Sequence, residues 1–239
     1  MNFILGDIHG NVKKLQRIID AGYASGGTIY QIGDFGLGDL ESFWFTRDDL
    51  DDINYILKKT DTQLKVIRGN HDNPKYWNDD IERKLFNSTY TNIELLKDYH
   101  QEVINDKTYL FIGGAVSIDR VISEPRGQWW SDEIVTPPSD GLESLNEVDV
   151  VVAHNCPSFF NHGTGGENLK SWIANDENLL EDLTKERILL DQVFDQVKPK
   201  EWFSGHFHNK IKDVKQDCKY QCINIDELHC LDEYIPFSN

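Results

Sequence analysis

Five short apolar runs in this chain each end in residues able to hold a cation or move a proton. Phe3-Ile4-Leu5 runs into Gly6-Asp7-Ile8-His9-Gly10, and Tyr30-Gln31-Ile32 runs into Gly33-Asp34-Phe35-Gly36. Leu64-Lys65-Val66-Ile67 passes through Arg68 to Gly69-Asn70-His71-Asp72. Val150-Val151-Val152-Ala153 leads to His154-Asn155, and Trp202-Phe203-Ser204 to Gly205-His206-Phe207-His208. Five of the eight histidines (9, 71, 154, 206 and 208) fall in these segments. The glycines let the backbone turn sharply and keep bulky side chains away. Asp-x-His and His-x-His have a spacing of two, which in extended backbone sends both side chains to the same side.

The elements that must position these groups follow from hydrophobic periodicity. Strands are expected at Phe3–Leu5, Thr28–Ile32, Leu64–Ile67, Thr108–Ile112, Asp149–Ala153, Glu201–Phe203 and Tyr220–Ile225. Val12, Leu15, Ile18 and Ile19 recur at helical spacing, as do Leu50, Ile53, Ile56 and Leu57 within Asp48–Lys59. Glu177–Val197 is the longest expected helix, its leucine-rich stripe facing a core or, in a second reading, a partner. The early strand-helix alternation predicts a βαβ start with parallel strands. Fewer helices separate the later strands, which predicts a more antiparallel second half. Ile118–Asp140 and Pro157–Lys170 are expected as long loops. In open α/β sheets ligands bind at the carboxyl ends of the strands, where these polar residues stand.

Taken singly, each segment has a plainer reading: Gly69-Asn70 as a turn, Asp34 as a cap, His154 as a buried core histidine. In one order, each at a strand end, they point to one site. The bulk numbers agree with an ordinary globular chain. At 239 residues and 39% hydrophobic content, a single domain over 1–239 is expected. No run of eighteen apolar residues offers a membrane span. The start, MNFILGDIHG, lacks a basic leader region, so a cytoplasmic location is expected. The net charge of -17 disfavours non-specific nucleic-acid binding while leaving room for a local basic patch. Cys156, Cys218, Cys222 and Cys230 lack the doubled spacing of a structural zinc site, and reduced, partly buried thiols are expected.

With these residues in view, the chain resembles the calcineurin-like metallophosphoesterase superfamily, whose pattern is Asp-x-His, Gly-Asp, Gly-Asn-His-Asp/Glu, His and Gly-His-x-His in that order. The pattern spans residues 6 to 208. The resemblance implies a four-layered α/β sandwich, two mixed β-sheets flanked by helices. It implies two divalent metal ions: Asp7, His9 and His208 around the first, Asn70, His154 and His206 around the second, and Asp34 bridging them. Carboxylate, amide oxygen and imidazole together suit Mn, Fe or Zn. The implied chemistry is attack of a metal-bridging hydroxide on phosphorus, with His71 as general acid and Asp72 orienting its ring.

The pattern departs from the protein serine/threonine phosphatase branch at Gly33-Asp34-Phe35-Gly36-Leu37-Gly38-Asp39, where Gly38 stands at that branch's phosphate-binding arginine. Arg68, Arg120 and Arg126 are candidate replacements. Trp129 and Trp130 could stack a base or simply pack their loop, and His162-Gly163-Thr164-Gly165-Gly166 could be a flap or a turn. The expected activity is that of a phosphodiesterase or phosphatase on a small or nucleotide-like phosphate ester. A protein phosphatase and a nuclease are the rival enzymes, and a metal-binding scaffold of the same fold is the non-enzyme rival.

Overall fold

The computed structural model describes residues 1–41, 44–163 and 167–232. Its strands form two sheets. In the first, β1 (Asn2–Leu5), β2 (Thr28–Gln31), β3 (Gln63–Val66) and β4 (Ile93–Leu95) are parallel, and β11 (Leu228–Cys230) lies antiparallel beside β1. The second runs β5 (His100–Ile104), β6 (Lys107–Ile112), β7 (Val150–Ala153), β8 (Glu201–Ser204), β10 (Cys218–Cys222), β9 (Ile211–Lys215). Its centre, β6-β7-β8-β10, is parallel, and only the two edges are antiparallel. The expectation of a more antiparallel second half therefore holds at the edges and fails in the middle.

The period of two along the strands builds the layers. Phe3 and Leu5 face one way, into a core completed by α1 (Val12–Asp20) and α2 (Arg47–Lys59) through Leu15, Ile19, Leu50, Ile53 and Leu57. Ile4 faces the other way, meeting Tyr109, Phe111, Val150 and Val152 between the sheets. The alternate residues Leu110, Ile112, Val151 and Ala153 pack under Leu190, Val193 and Val197 of α7 (Leu179–Val197), with Trp202 fully buried beside them. Three cores separate four layers, helices–sheet–sheet–helices, so the fold is the expected α/β sandwich of two mixed sheets flanked by helices.

Differences from expectation lie in polar or marginal segments. Pro157–Lys170 is not loop throughout, because α6 (Glu167–Asn175) begins inside it. Its residues Thr164, Gly165 and Gly166, part of the suggested flap, lie outside the described residues. Ile118–Asp140 contains the short α5 (Arg120–Ser123). Helices α3 (Lys75–Asn78) and α4 (Asp80–Thr89), and strands β4, β5, β9 and β11, were not anticipated. Cys156, Cys218 and Cys222 are buried free thiols, whereas Cys230 is exposed. Among the described residues no helix is long and apolar enough to cross a membrane.

Candidate metal centre

The carboxyl ends of β1, β2 and β3 in one sheet and of β7 and β8 in the other meet at one edge of the sandwich. They bring the seven expected ligands together. One ligand atom from each of Asp7, His9, Asp34 and His208 lies within 4.8 Å of the others. His208 Nε2 is 3.0 Å from Asp7 Oδ2 and 3.0 Å from His9 Nε2. Asp34 stands between two groups, 3.8 Å from His9 Nε2 through Oδ2 and 3.3 Å from His154 Nε2 through Oδ1. Asn70 Oδ1 is 3.0 Å from His154 Nε2 and 2.9 Å from His206 Nδ1.

This arrangement fits cations. The Ile32 carbonyl accepts from His154 Nδ1 at 2.7 Å, which directs the lone pair of neutral His154 at Nε2 toward two oxygens. Lone pairs facing lone pairs call for a proton or a metal between them. Burial opposes charge on His154, yet the Asp34 carboxylate beside it pushes its pKa up to about 9. Burial likewise opposes charge on Asp34, and His154, His71 and His9 outweigh it, holding the carboxyl well below its usual range. His208 is raised, chiefly by its hydrogen bond to Asp7. His206 is held low, by burial first and by the charge of His154. Among the described residues no lysine or arginine pairs with Asp7 or Asp34. Carboxylate, amide and imidazole donors of this kind match Mn, Fe or Zn, and thiolate is absent.

Local backbone geometry produces the convergence, and it is not the extended geometry the spacing suggested. His9, Asp34, His206 and His208 all have positive φ (47°, 53°, 64° and 52°). Left-handed backbone is costly for such residues and collects at functional sites. The strain is held by loop-to-loop bonds: Asp34 O accepts from Ile8 N and His9 N at 3.0 and 2.8 Å. Gly69 is needed for close approach, since a Cβ there would lie 2.0 Å from Asp34 N. At Gly33, with φ at 94°, it would lie 2.4 Å from His154 Nδ1.

The segment Arg68–Asp72 divides its labour differently from the expectation. The His71 backbone N–H donates to Asp34 Oδ1 at 2.8 Å, and its ring stands 5.5 Å from that of His9. Asp72 does not orient that ring. Its buried carboxylate accepts from the backbone N–H groups of Phe35, Gly36, Leu37 and Gly69 at 2.7–3.1 Å, tying the β2 and β3 turns together.

Across residues 3–210 the sequence matches the family model described as calcineurin-like phosphoesterase. The chain belongs to that family. No curated protein matches the sequence. Among solved structures it is similar to TT1561 of Thermus thermophilus, with 12% identity, 93% of this chain and 89% of that chain covered, and a TM-score of 0.47. A structure described as a novel archaeal phosphodiesterase aligns at 10% identity over 94% of this chain and 83% of its own, with a TM-score of 0.42. The phosphopantetheinyl hydrolase PptH from Mycobacterium tuberculosis gives 12%, 94%, 90% and 0.44.

In this calcineurin-like phosphoesterase two of the three expected phosphate clamps are engaged elsewhere. Arg68 is fully buried, pairing with Asp98 at 3.0 Å and donating to the carbonyls of Asp132, Glu133 and Ile134. It is a structural arginine, and so is Arg120, which pairs with Asp176 and Asp182. Arg126 is exposed on a turn after α5 and makes no recorded bond to a site residue. Trp129 lines a cleft of about 780 Å³ with Arg120, Asp176 and Asp182, away from the metal ligands.

Three neighbours of the centre went unnoticed in the sequence. The Trp44 ring is 5.5 Å from that of His71 and 6.2 Å from that of His9, both edge-on. Ser117 Oγ accepts from Asn70 Nδ2 at 2.9 Å and donates to Glu133 Oε2 at 2.9 Å. Nothing in their surroundings marks Trp44 or Ser117. Glu133 carries one signal, a carboxylate just past the paired tryptophans in a long loop.

Proposed function

We propose that residues 1–239 act as one metallophosphoesterase domain that hydrolyses small or nucleotide-like phosphate esters as a phosphodiesterase or phosphatase. The carrying observation is the convergence of Asp7, His9, Asp34, Asn70, His154, His206 and His208 on one gap, with His71 at its side. Two divalent ions bound there supply Lewis acidity toward the phosphoryl group and lower the pKa of water. Asp7, His9 and His208 would hold one and Asn70, His154 and His206 the other, with Asp34 placed between the two groups. The His71 ring, on the turn that Asp72 ties down, delivers a proton to the leaving oxygen. Trp44 packs edge-on against the His71 and His9 rings on that side of the site.

Gly38 in place of an arginine favours the diesterase form over a protein phosphatase. The opening Gly6-Asp7-Ile8-His9-Gly10-Asn11, similar to the phosphatase branch, favours monoesters and sets the second reading. Metal-stripped protein reloaded with Mn²⁺ is given bis-p-nitrophenyl phosphate and p-nitrophenyl phosphate side by side. The expected result is diester turnover that drops by about 10²–10⁴ in His71→Ala and is also lost in Asp34→Asn. A monoester preference would revive the phosphatase branch. No turnover with two ions bound would leave the metal-binding scaffold.

A further inference from the structure

The chain has seven arginines, and Arg17, Arg47 and Arg126 are exposed. Of the four less exposed ones, three pair with carboxylates: Arg68 with Asp98, Arg83 with Asp80, Arg120 with Asp176 and Asp182. Arg187, half-buried on α7, has no carboxylate within 4.0 Å among the described residues, although acidic groups outnumber basic ones 41 to 24. Its acidic neighbours along the helix are occupied. Glu186 accepts from Val116 N, Val135 N and Asn155 Nδ2, and Asp191 accepts from the backbone and hydroxyl of Ser158.

The guanidinium is held on one side only. Nη1 donates to Asn155 Oδ1 at 3.2 Å, to Pro157 O at 3.3 Å and to the Cys156 carbonyl, and Cζ lies over the Phe207 ring, 5.3 Å from the centroid. Asn155 follows ligand His154, and Phe207 sits between ligands His206 and His208. The charge is therefore fixed between the two loops that carry the second set of ligands. The Nε and Nη2 groups carry N–H bonds with no recorded partner among the described residues. A cation fixed against the two loops that carry these ligands gains a partner when an anion binds there. A phosphate oxygen does that, and the guanidinium fork is suited to it.

We propose that Arg187 anchors a non-bridging oxygen of the substrate phosphate, supplying the cation that Gly38 does not. The identity of the anion rests on the phosphoesterase reading. The test measures binding of inorganic phosphate to Mn²⁺-loaded wild type, Arg187→Met and Arg187→Lys by calorimetry, with metal content and unfolding temperature determined alongside. Phosphate affinity is expected to fall about tenfold in Arg187→Met and less in Arg187→Lys, with two ions still bound. KM for the ester rises while kcat holds. If Arg187→Met does not fold, Arg187→Lys decides, through loss of the fork with the charge kept. Unchanged phosphate affinity in whichever variant folds, or wild type that binds no phosphate, would overturn the anchor. Because this readout needs no turnover, an inactive wild type that binds phosphate through Arg187 would sink the hydrolase reading alone.

Discussion

Asn70 shows how much one amide depends on what stands behind it. Its oxygen serves the metal side only while its nitrogen is engaged, and Ser117 Oγ takes that nitrogen at 2.9 Å with Glu133 behind it. Outer partners of this kind fix the orientation of metal-facing groups. Ser117→Ala is expected to weaken one of the two ions by about 10–100-fold, with the other little changed, in a competition titration against a chelating dye. Equal weakening of both would count against the relay. Glu133 itself is unusual, because burial pushes its carboxyl up to about 8 from 4.5. The unfolded glutamate ionises near 4.5 while the folded one keeps its proton, so its contribution is full below 4.5 and is lost as pH rises to about 8. Between pH 5 and pH 8, denaturant midpoints should fall further in wild type than in Glu133→Gln. Parallel curves for the two would refute that.

At the scale of elements, α2 shows a local rule operating alone. Thr46 Oγ1 accepts from Asp49 N at 3.2 Å, and Asp49 Oδ2 accepts from Thr46 N at 2.9 Å, a reciprocal cap. Thr46→Ala should cost about 1 kcal/mol of stability in urea unfolding while leaving metal content unchanged. Elements of this kind are legible in sequence: β1 and β2 are short apolar runs buried on both faces, β3 alternates with period 2, and α1 and α2 bury one face with period 3.6. Helix α4 escapes because Ile81 and Leu85 are exposed and only Phe86 is buried, so its apolar pattern does not mark a core face. Strands β5 and β9 escape as half-exposed sheet edges rich in polar residues. The site divides the same way. Asp, Asn and His beside glycine at strand ends announce themselves, and all seven expected ligands converge. Asp72 misled because adjacency to His71 suggested a partnership, whereas a buried carboxylate takes the nearest unpaired amides. Arg187 was hidden in the middle of a helix, where an arginine is ordinarily a solvated surface group.

For the whole molecule, the decisive feature is that each sheet supplies part of one centre. The first gives Asp7, His9, Asp34 and Asn70, and the second gives His154, His206 and His208, so ions held by these residues would join the sheets at the edge where the apolar core between them ends. Ligands that bind only the folded chain stabilise it. At free metal near 100 times Kd, each ion adds about 2.7 kcal/mol, or about 5–10 °C in unfolding temperature for a chain of this size. Scanning calorimetry of stripped and reloaded protein checks this, and coincident transitions would mean that the ions do not join the sheets.

That division also sets a timetable for biogenesis. The carboxylates at 7 and 34 leave the ribosome well before the imidazoles at 206 and 208. A nascent chain would thus expose acidic loops without the histidines that complete the centre until the later loops follow. Even then, β1 lacks its outer neighbour until β11 closes over it. A centre built from both sheets would capture its metals only after nearly the whole sandwich has been translated.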